Sequence, residues 1–129
     1  LQILLAEDEP SSQVFVQRLL QNVGHQVTVA VNGQDALDLL AQHKFDCVLM
    51  DIQMPVMDGV EATRRIRAVE RLDQESRRSR LPIIALTAYV MTGDREGLLK
   101  QGLDDYLAKP VGKDELLAVL ERNVYASNG

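Results

Sequence analysis

The chain has a single cysteine, Cys47, so it can form no internal disulfide and is at ease in a reducing compartment. No apolar stretch approaches the roughly 18 residues of a membrane span, and no signal-peptide pattern is present. A cytoplasmic domain without direct membrane contact is therefore expected, which leaves room for a parent protein anchored in the inner membrane. Positive charge is in short supply: 14 Lys and Arg against 19 Asp and Glu give a net charge of −5 and a pI of about 5.0. That balance argues against direct binding of nucleic acid. A Gly-Lys-Ser/Thr phosphate loop is missing, which excludes a P-loop nucleotidase. Repeats, linkers and low-complexity tracts are also absent, so the 129 residues, 46% apolar, read as one domain over 1–129 with enough apolar content for a core. There is no initiator methionine either. The chain starts at Leu1 inside an apolar run, as expected of a segment cut from a longer protein.

What is present is an alternation. Short β-branched or leucine-rich runs fall at Ile3 to Ala6, Gln26 to Val31, Asp46 to Met50, Pro82 to Leu86 and Asp104 to Leu107. Between them lie segments of helical period. Val14, Leu19, Leu20 and Val23 suit one face of a first helix that Gly24 stops. Ala36, Leu37, Leu39 and Leu40 suit a second, after the turn residues Asn32 and Gly33. Asp58 is a good N-cap for a third, carrying Val60, Ala62, Ile66 and Val69 inward. The fourth spans Thr92 to Gln101. A fifth spans Lys113 to about Val124, with Leu116, Leu117, Val119 and Leu120 inward. Five strand-then-helix units predict a doubly wound (βα)5 α/β sandwich with a parallel sheet. The flavodoxin-like form of that architecture runs in the order 2-1-3-4-5, which is the order expected here.

Such sheets bind ligands outside the carboxyl ends of their strands. Glu7 and Asp8 follow the first run, Asp51 the third, Thr87 the fourth and Lys109 the fifth, so one rim should gather an acidic pocket with a single lysine. The residue types suit phosphoryl chemistry on a carboxylate. Transfer of a phosphoryl group is mostly positioning and charge neutralisation. Magnesium takes hard oxygen ligands and keeps several waters, so one or two carboxylates, a carbonyl and a phosphate oxygen suffice. Lys109 supplies a point charge and Thr87 a short, stiff hydroxyl. Other readings fit less well. A flavodoxin would need a hydroxyl-rich phosphate cradle where EDEP stands, and a haloacid-dehalogenase-type phosphatase would need a second acid where Gln53 stands. Cys47 reads as a small core residue, Met50, Met54 and Met57 as packing and loop residues, and His25 and His43 as solvated. ERLDQESRRSR, about 70–80, reads as a lengthened, solvated connection.

The segments LLAEDEP, VLMDIQMPVMDG, IIALTAY and DYLAKP resemble the four signature segments of response-regulator receiver domains, over about residues 2 to 124. The resemblance implies that Asp51 is the phosphoacceptor and that Glu7, Asp8, Asp51 and the main-chain carbonyl of Gln53 hold Mg2+, with Mn2+ able to substitute. It further implies that Asp51, Thr87 and Lys109 form the catalytic set, that Thr87 and Tyr106 form the switch, and that Lys109–Pro110 is cis. Gln53 and Tyr89 would flank the path of the water that later hydrolyses the acyl phosphate. No organic cofactor is implied. The domain alone would be a phosphoacceptor that phosphorylates and dephosphorylates itself, although its parent can be a histidine kinase. A degenerate, binding-only receiver would have lost Asp8, Asp51 or Lys109, and all three are present. The wording MDIQMPVMDGVEATRRIR and GLDDYLAKP resembles receivers of hybrid sensor histidine kinases, which exchange phosphoryl groups with histidine kinase or histidine phosphotransfer domains. The alternative is the receiver of a conventional regulator with a DNA-binding or enzymatic output, or a stand-alone receiver. A weak homodimer through the fourth helix, fifth strand and fifth helix is a further expectation from the family.

Overall fold

Runs such as CVLM and IIAL show no polar alternation, which marks strands covered on both faces. In the computed structural model, which describes residues 1–72, 80–88 and 94–125, both become central strands. The elements are β1 (Gln2–Ala6), α1 (Pro10–Asn22), β2 (Gln26–Ala30), α2 (Gly33–Gln42), β3 (Cys47–Asp51), α3 (Gly59–Leu72), β4 (Ile83–Thr87), α4 (Asp94–Lys100), β5 (Asp105–Ala108) and α5 (Lys113–Leu120). A π-helical turn, Glu121–Tyr125, prolongs α5. The five strands are parallel, as the alternation predicts, and lie in the order β2-β1-β3-β4-β5 expected of a flavodoxin-like sandwich.

Successive strand residues point to opposite faces, so each strand feeds two cores. Ile3, Leu5, Cys47, Leu49, Ile84 and Leu86 pack with Val16 and Leu20 of α1 and Leu116, Val119 and Leu120 of α5. Leu4, Ala6, Val48, Met50, Ile83 and Ala85 face the other way, onto Ala36 of α2 and Ala62 and Ile66 of α3. Cys47 is fully buried among them, and burial pushes its thiol well above the ordinary range, so it is inert packing. His43 is exposed, whereas His25 is half-buried rather than solvated.

Helix ends follow local chemistry. The Glu9 carboxylate accepts the N–H groups of Ser11 (3.1 Å) and Ser12 (2.6 Å), with Pro10 opening α1. These hydrogen bonds, that of the Ser12 N–H first, hold its carboxyl below the usual range. Asp58 Oδ1 accepts the Glu61 N–H at 2.9 Å, as a cap should. Gly24 ends α1 at φ +92°, a conformation that suits glycine.

Three expectations shift. In α1 the inward residues are Val16 and Leu20, with Leu19 alongside, while Val14 and Val23 are exposed. Val14, Phe15 and Val16 are consecutive apolar residues, and only packing against the sheet selects which one turns in. In α3, Val69 is exposed because the inward face runs through Gly59, Ala62, Thr63, Ile66 and Arg67. β3, β4 and β5 each sit one residue later than their apolar runs, while β1 starts one residue earlier and β2 ends one residue earlier. Asp51 and Thr87 are therefore the last residues of β3 and β4, and Asp46, Pro82 and Asp104 lie outside the ladder. The fourth helix is described from Asp94, so Thr92 lies outside the described residues, as do Tyr89 and most of the 70–80 connection.

Arg67 explains the turn of α3. Its almost buried guanidinium donates to the carbonyls of Gly102 and Leu81 (2.8 Å each), to Glu70 Oε1 (2.8 Å) and to Asp104 Oδ2 (2.7 Å). Asp104 Oδ2 also accepts the Ile83 N–H at 2.8 Å, and Glu70 Oε2 accepts the Leu81 N–H at 2.9 Å. A buried charge is tolerable when every donor is met. Here the network ties α3 to the start of β4 and to the loop before β5, at the edge of the sheet opposite the acidic pocket.

Candidate functional site

The register of the ladder decides which side chains meet. Ala6 lies opposite Met50, Asp51 opposite Leu86, and Thr87 opposite Ala108, so Glu7, Asp51, Thr87 and Lys109 end four neighbouring strands at one rim. The chain reaches Lys109 with its N–H donated to the Thr87 carbonyl at 2.8 Å, and the Lys109–Pro110 peptide is cis, as the resemblance implies.

At the centre, Lys109 Nζ donates to both Glu7 oxygens (3.0 Å each) and to Asp51 Oδ2 (2.9 Å). Asp51 Oδ1 accepts the main-chain N–H of Gln53 at 2.9 Å. Both Asp51 oxygens are thereby oriented by hydrogen-bond donors. Glu7 is wholly buried and Asp51 nearly so, whereas Asp8 is exposed. One oxygen from each of Glu7, Asp8 and Asp51 lies within 4.8 Å of the others. Three carboxylates and one ammonium leave an excess of negative charge. Like charges about 4 Å apart repel by roughly 4 kcal/mol at an effective dielectric near 20. Burial pushes the Glu7 carboxyl up to about 7, its hydrogen bond with Asp51 adds to the rise, and Lys109 opposes it. Burial works against the Lys109 ammonium, but its bonds to Asp51 and Glu7 prevail and its pKa is raised.

Thr87 is buried at the end of β4. Tyr106, opposite Ala85 on β5, is half-buried against the α2–α3 side of the core. The structure thus brings together Glu7, Asp8, Asp51, the Gln53 backbone, Thr87 and Lys109, with Tyr106 further back on β5, two residues before Ala108, the partner of Thr87. Two glycines hold this rim close. A Cβ on Gly59 would run into the Asp51 carbonyl and lie 2.8 Å from Met50 Cγ, and one on Gly33 would meet the Met57 carbonyl. These contacts, the Glu9 cap and the Arg67 network were not anticipated. The glycines of VNG and MDG, read only as turn residues or not at all, were the available signal for the close approaches.

The set is suited to a hard divalent cation beside a carboxylate already deprived of water. Burial first, and the neighbouring Asp51 second, let Glu7 hold its proton up to near neutrality, as befits an oxygen site short of positive charge.

Comparison with known proteins agrees with the geometry. The family model described as response regulator receiver domain matches residues 3–121. Sensor protein GacS of Pseudomonas syringae pv. syringae is 43% identical over 118 residues, 92% of this chain and 13% of that protein. Signal transduction histidine-protein kinase BarA of Escherichia coli K12 is 38% identical over 120 residues, 93% of this chain and 12% of that protein. The chain therefore spans about an eighth of these relatives. Among solved structures, the receiver domain of sensor histidine kinase PA1611 from Pseudomonas aeruginosa PAO1 superposes with a TM-score of 0.82 at 42% identity, covering 96% of this chain and 97% of that one, and carries a magnesium ion in its active-site cleft. The receiver domain of Saccharomyces cerevisiae Ssk1, in complex with the histidine phosphotransfer protein Ypd1, gives 0.89 at 29% identity, covering 98% of this chain and 90% of the matched one.

Proposed function

Because the chain belongs to the response regulator receiver domain family, a family of two-component signal transduction, we propose that it accepts a phosphoryl group on Asp51 from a phosphohistidine, within a hybrid sensor histidine kinase. The observation that carries this reading is the Asp51 carboxylate itself. It is buried at the end of β3, with one oxygen on Lys109 and the other on the Gln53 N–H, beside two further acids.

An Asp51 oxygen attacks phosphorus, the P–N bond to the donor imidazole breaks, and the imidazole nitrogen keeps the electron pair. Glu7, Asp8, Asp51 and the Gln53 carbonyl would hold Mg2+, or Mn2+ in its place. The ion supplies neutralisation of phosphoryl charge. Lys109 Nζ, released from part of its carboxylate bonding, donates to a phosphoryl oxygen. The Thr87 hydroxyl donates to another, and its inward movement leaves room for Tyr106 to follow. The acyl phosphate is later hydrolysed or passed to a second histidine. New contacts formed only in the phosphorylated state are what bias the α4–β5–α5 face. Leu99 on α4, 40% exposed, gives that face an apolar point for a weak homodimer.

The donor side is supported by α1. Pro10, Ser11, Val14, Phe15, Arg18, Leu19 and Asn22 line a shallow apolar groove that starts two residues past Asp8. Val14 and Phe15 are 46% and 51% exposed there. A histidine phosphotransfer domain seated on this groove would reach the Asp51 rim, and the Ssk1 receiver is seen with such a protein. Among the described residues no helix is long and apolar enough to cross a membrane.

The test is incubation with acetyl phosphate and magnesium, followed by intact-mass measurement. A gain of roughly 80 Da, the mass of one phosphoryl group, is expected in the wild type. It should be lost in Asp51→Asn and with excess EDTA. A wild type that gains no mass would end the reading.

A further inference from the structure

One residue in the loop after Asp51 breaks a backbone rule, and its side chain gains no packing inside the domain. Val56 has φ +68°, the left-handed region that a β-branched residue rarely enters. The Met57 N–H donates to the Pro55 carbonyl at 2.7 Å across it, closing a γ-turn of the strained, positive-φ kind.

The surroundings impose the turn. Before it, Met54 is buried in the core and the Pro55 ring restricts its own φ. After it, the Met57 carbonyl accepts the Gly33 N–H at 3.0 Å, and Gly59 sits against the Asp51 carbonyl with no room for a side chain. The chain from Asp51 to α3 therefore has one course. Glycine or asparagine would follow it with less strain. The valine side chain is 83% exposed and packs on almost nothing. The anchors account for the turn, but nothing inside the fold accounts for a valine at it, and a residue that breaks a local rule with no packing in return points to something outside the fold.

We propose that Val56 is a specificity-determining contact for the phosphohistidine-bearing protein donor. It is a rigid apolar knob on the loop that follows the phosphoacceptor, and it loses water when the donor's surface closes over Asp51. The inference rests on the phosphoacceptor reading above. A preset conformation suits this role, because an apolar group that is already immobile surrenders little freedom on docking. A small donor such as acetyl phosphate reaches Asp51 without that contact.

The experiment compares wild type, Val56→Gly and Val56→Asn with two donors, acetyl phosphate and Ypd1 phosphorylated on its histidine. Both variants should melt no lower than the wild type and be labelled by acetyl phosphate at an unchanged rate. Toward phospho-Ypd1 they should show a KM raised about fivefold or more with kcat little changed, the size of a central interface contact. An unchanged KM overturns the proposal, as does a lowered melting temperature with equal losses toward both donors. Wild type labelled by acetyl phosphate but refusing phospho-Ypd1 also overturns it, while leaving the phosphoacceptor reading intact. Wild type refusing acetyl phosphate sinks that reading instead.

Discussion

Replacing Glu7 by glutamine in the metal-free protein removes a titration that folding distorts. Glu7 is wholly buried against Asp51, and burial, then the Asp51 hydrogen bond, push its carboxyl from 4.5 to about 7 despite Lys109. The folded state thus holds this proton more tightly than the unfolded chain does. The stability it contributes is complete below pH 4.5 and is lost as pH rises through about 7. A rise from 4.5 to about 7, at about 1.4 kcal/mol per pH unit, is worth on the order of 3 kcal/mol. In a domain of this size about 1 kcal/mol moves Tm by roughly 3–5 °C, so the loss corresponds to about 10 °C. The assay is thermal melting from pH 4.5 to 8 in EDTA, for wild type and Glu7→Gln. Other carboxylates titrate in both proteins, so the quantity read is the difference between the two curves. Wild-type Tm should fall relative to the variant as pH rises, by about that amount. Parallel curves would refute the assignment of a raised carboxyl to Glu7. Magnesium should reverse the trend, since a ligand must be deprotonated to bind, and should stabilise the wild type more at pH 8 than at pH 5.5.

Two further outcomes follow from the same structure. At pH 8, where Glu7 is ionised, Asp8→Asn removes one of three crowded charges and should raise the metal-free melting temperature while abolishing the stabilisation given by saturating magnesium. An undiminished magnesium response in that variant would remove Asp8 from the ligand set. Gly97→Ala places a methyl in open space in the middle of α4 and should stabilise that helix by about 1 kcal/mol, slowing its amide exchange. Exchange in wild-type α4 already as slow as in β3 would show that the glycine does not loosen it.

Much of this arrangement was legible before any coordinates. Five apolar runs alternating with helical periods predicted the parallel sheet, because a strand covered on both faces cannot afford polar alternation. The rim residues could be named because the carboxyl ends of parallel strands share an edge. Glu7, Asp8, Asp51, Thr87 and Lys109 each close or follow a run, and the architecture alone brings them side by side.

Other features depend on contacts between distant segments, and no local pattern encodes those. Whether Val14 or Val16 turns inward depends on how α1 lies on the sheet, since three consecutive apolar residues offer three choices. Arg67 looks like one more surface arginine of TRRIRAVERL until the carbonyls of Gly102 and Leu81 arrive to accept from it. In the sequence Glu7 reads as one more carboxylate for the metal. Only its burial against Lys109 and Asp51, contributed by segments up to 102 residues away, lifts its carboxyl to near neutrality. Nor does PVMDG announce a left-handed valine, because the strain is imposed by anchors on either side. Sequence by itself determined the strand and helix periods and the chemical types set at the strand ends. Tertiary structure decided orientation, protonation and strain, which are set by distances and desolvation that exist only once remote parts of the chain have met.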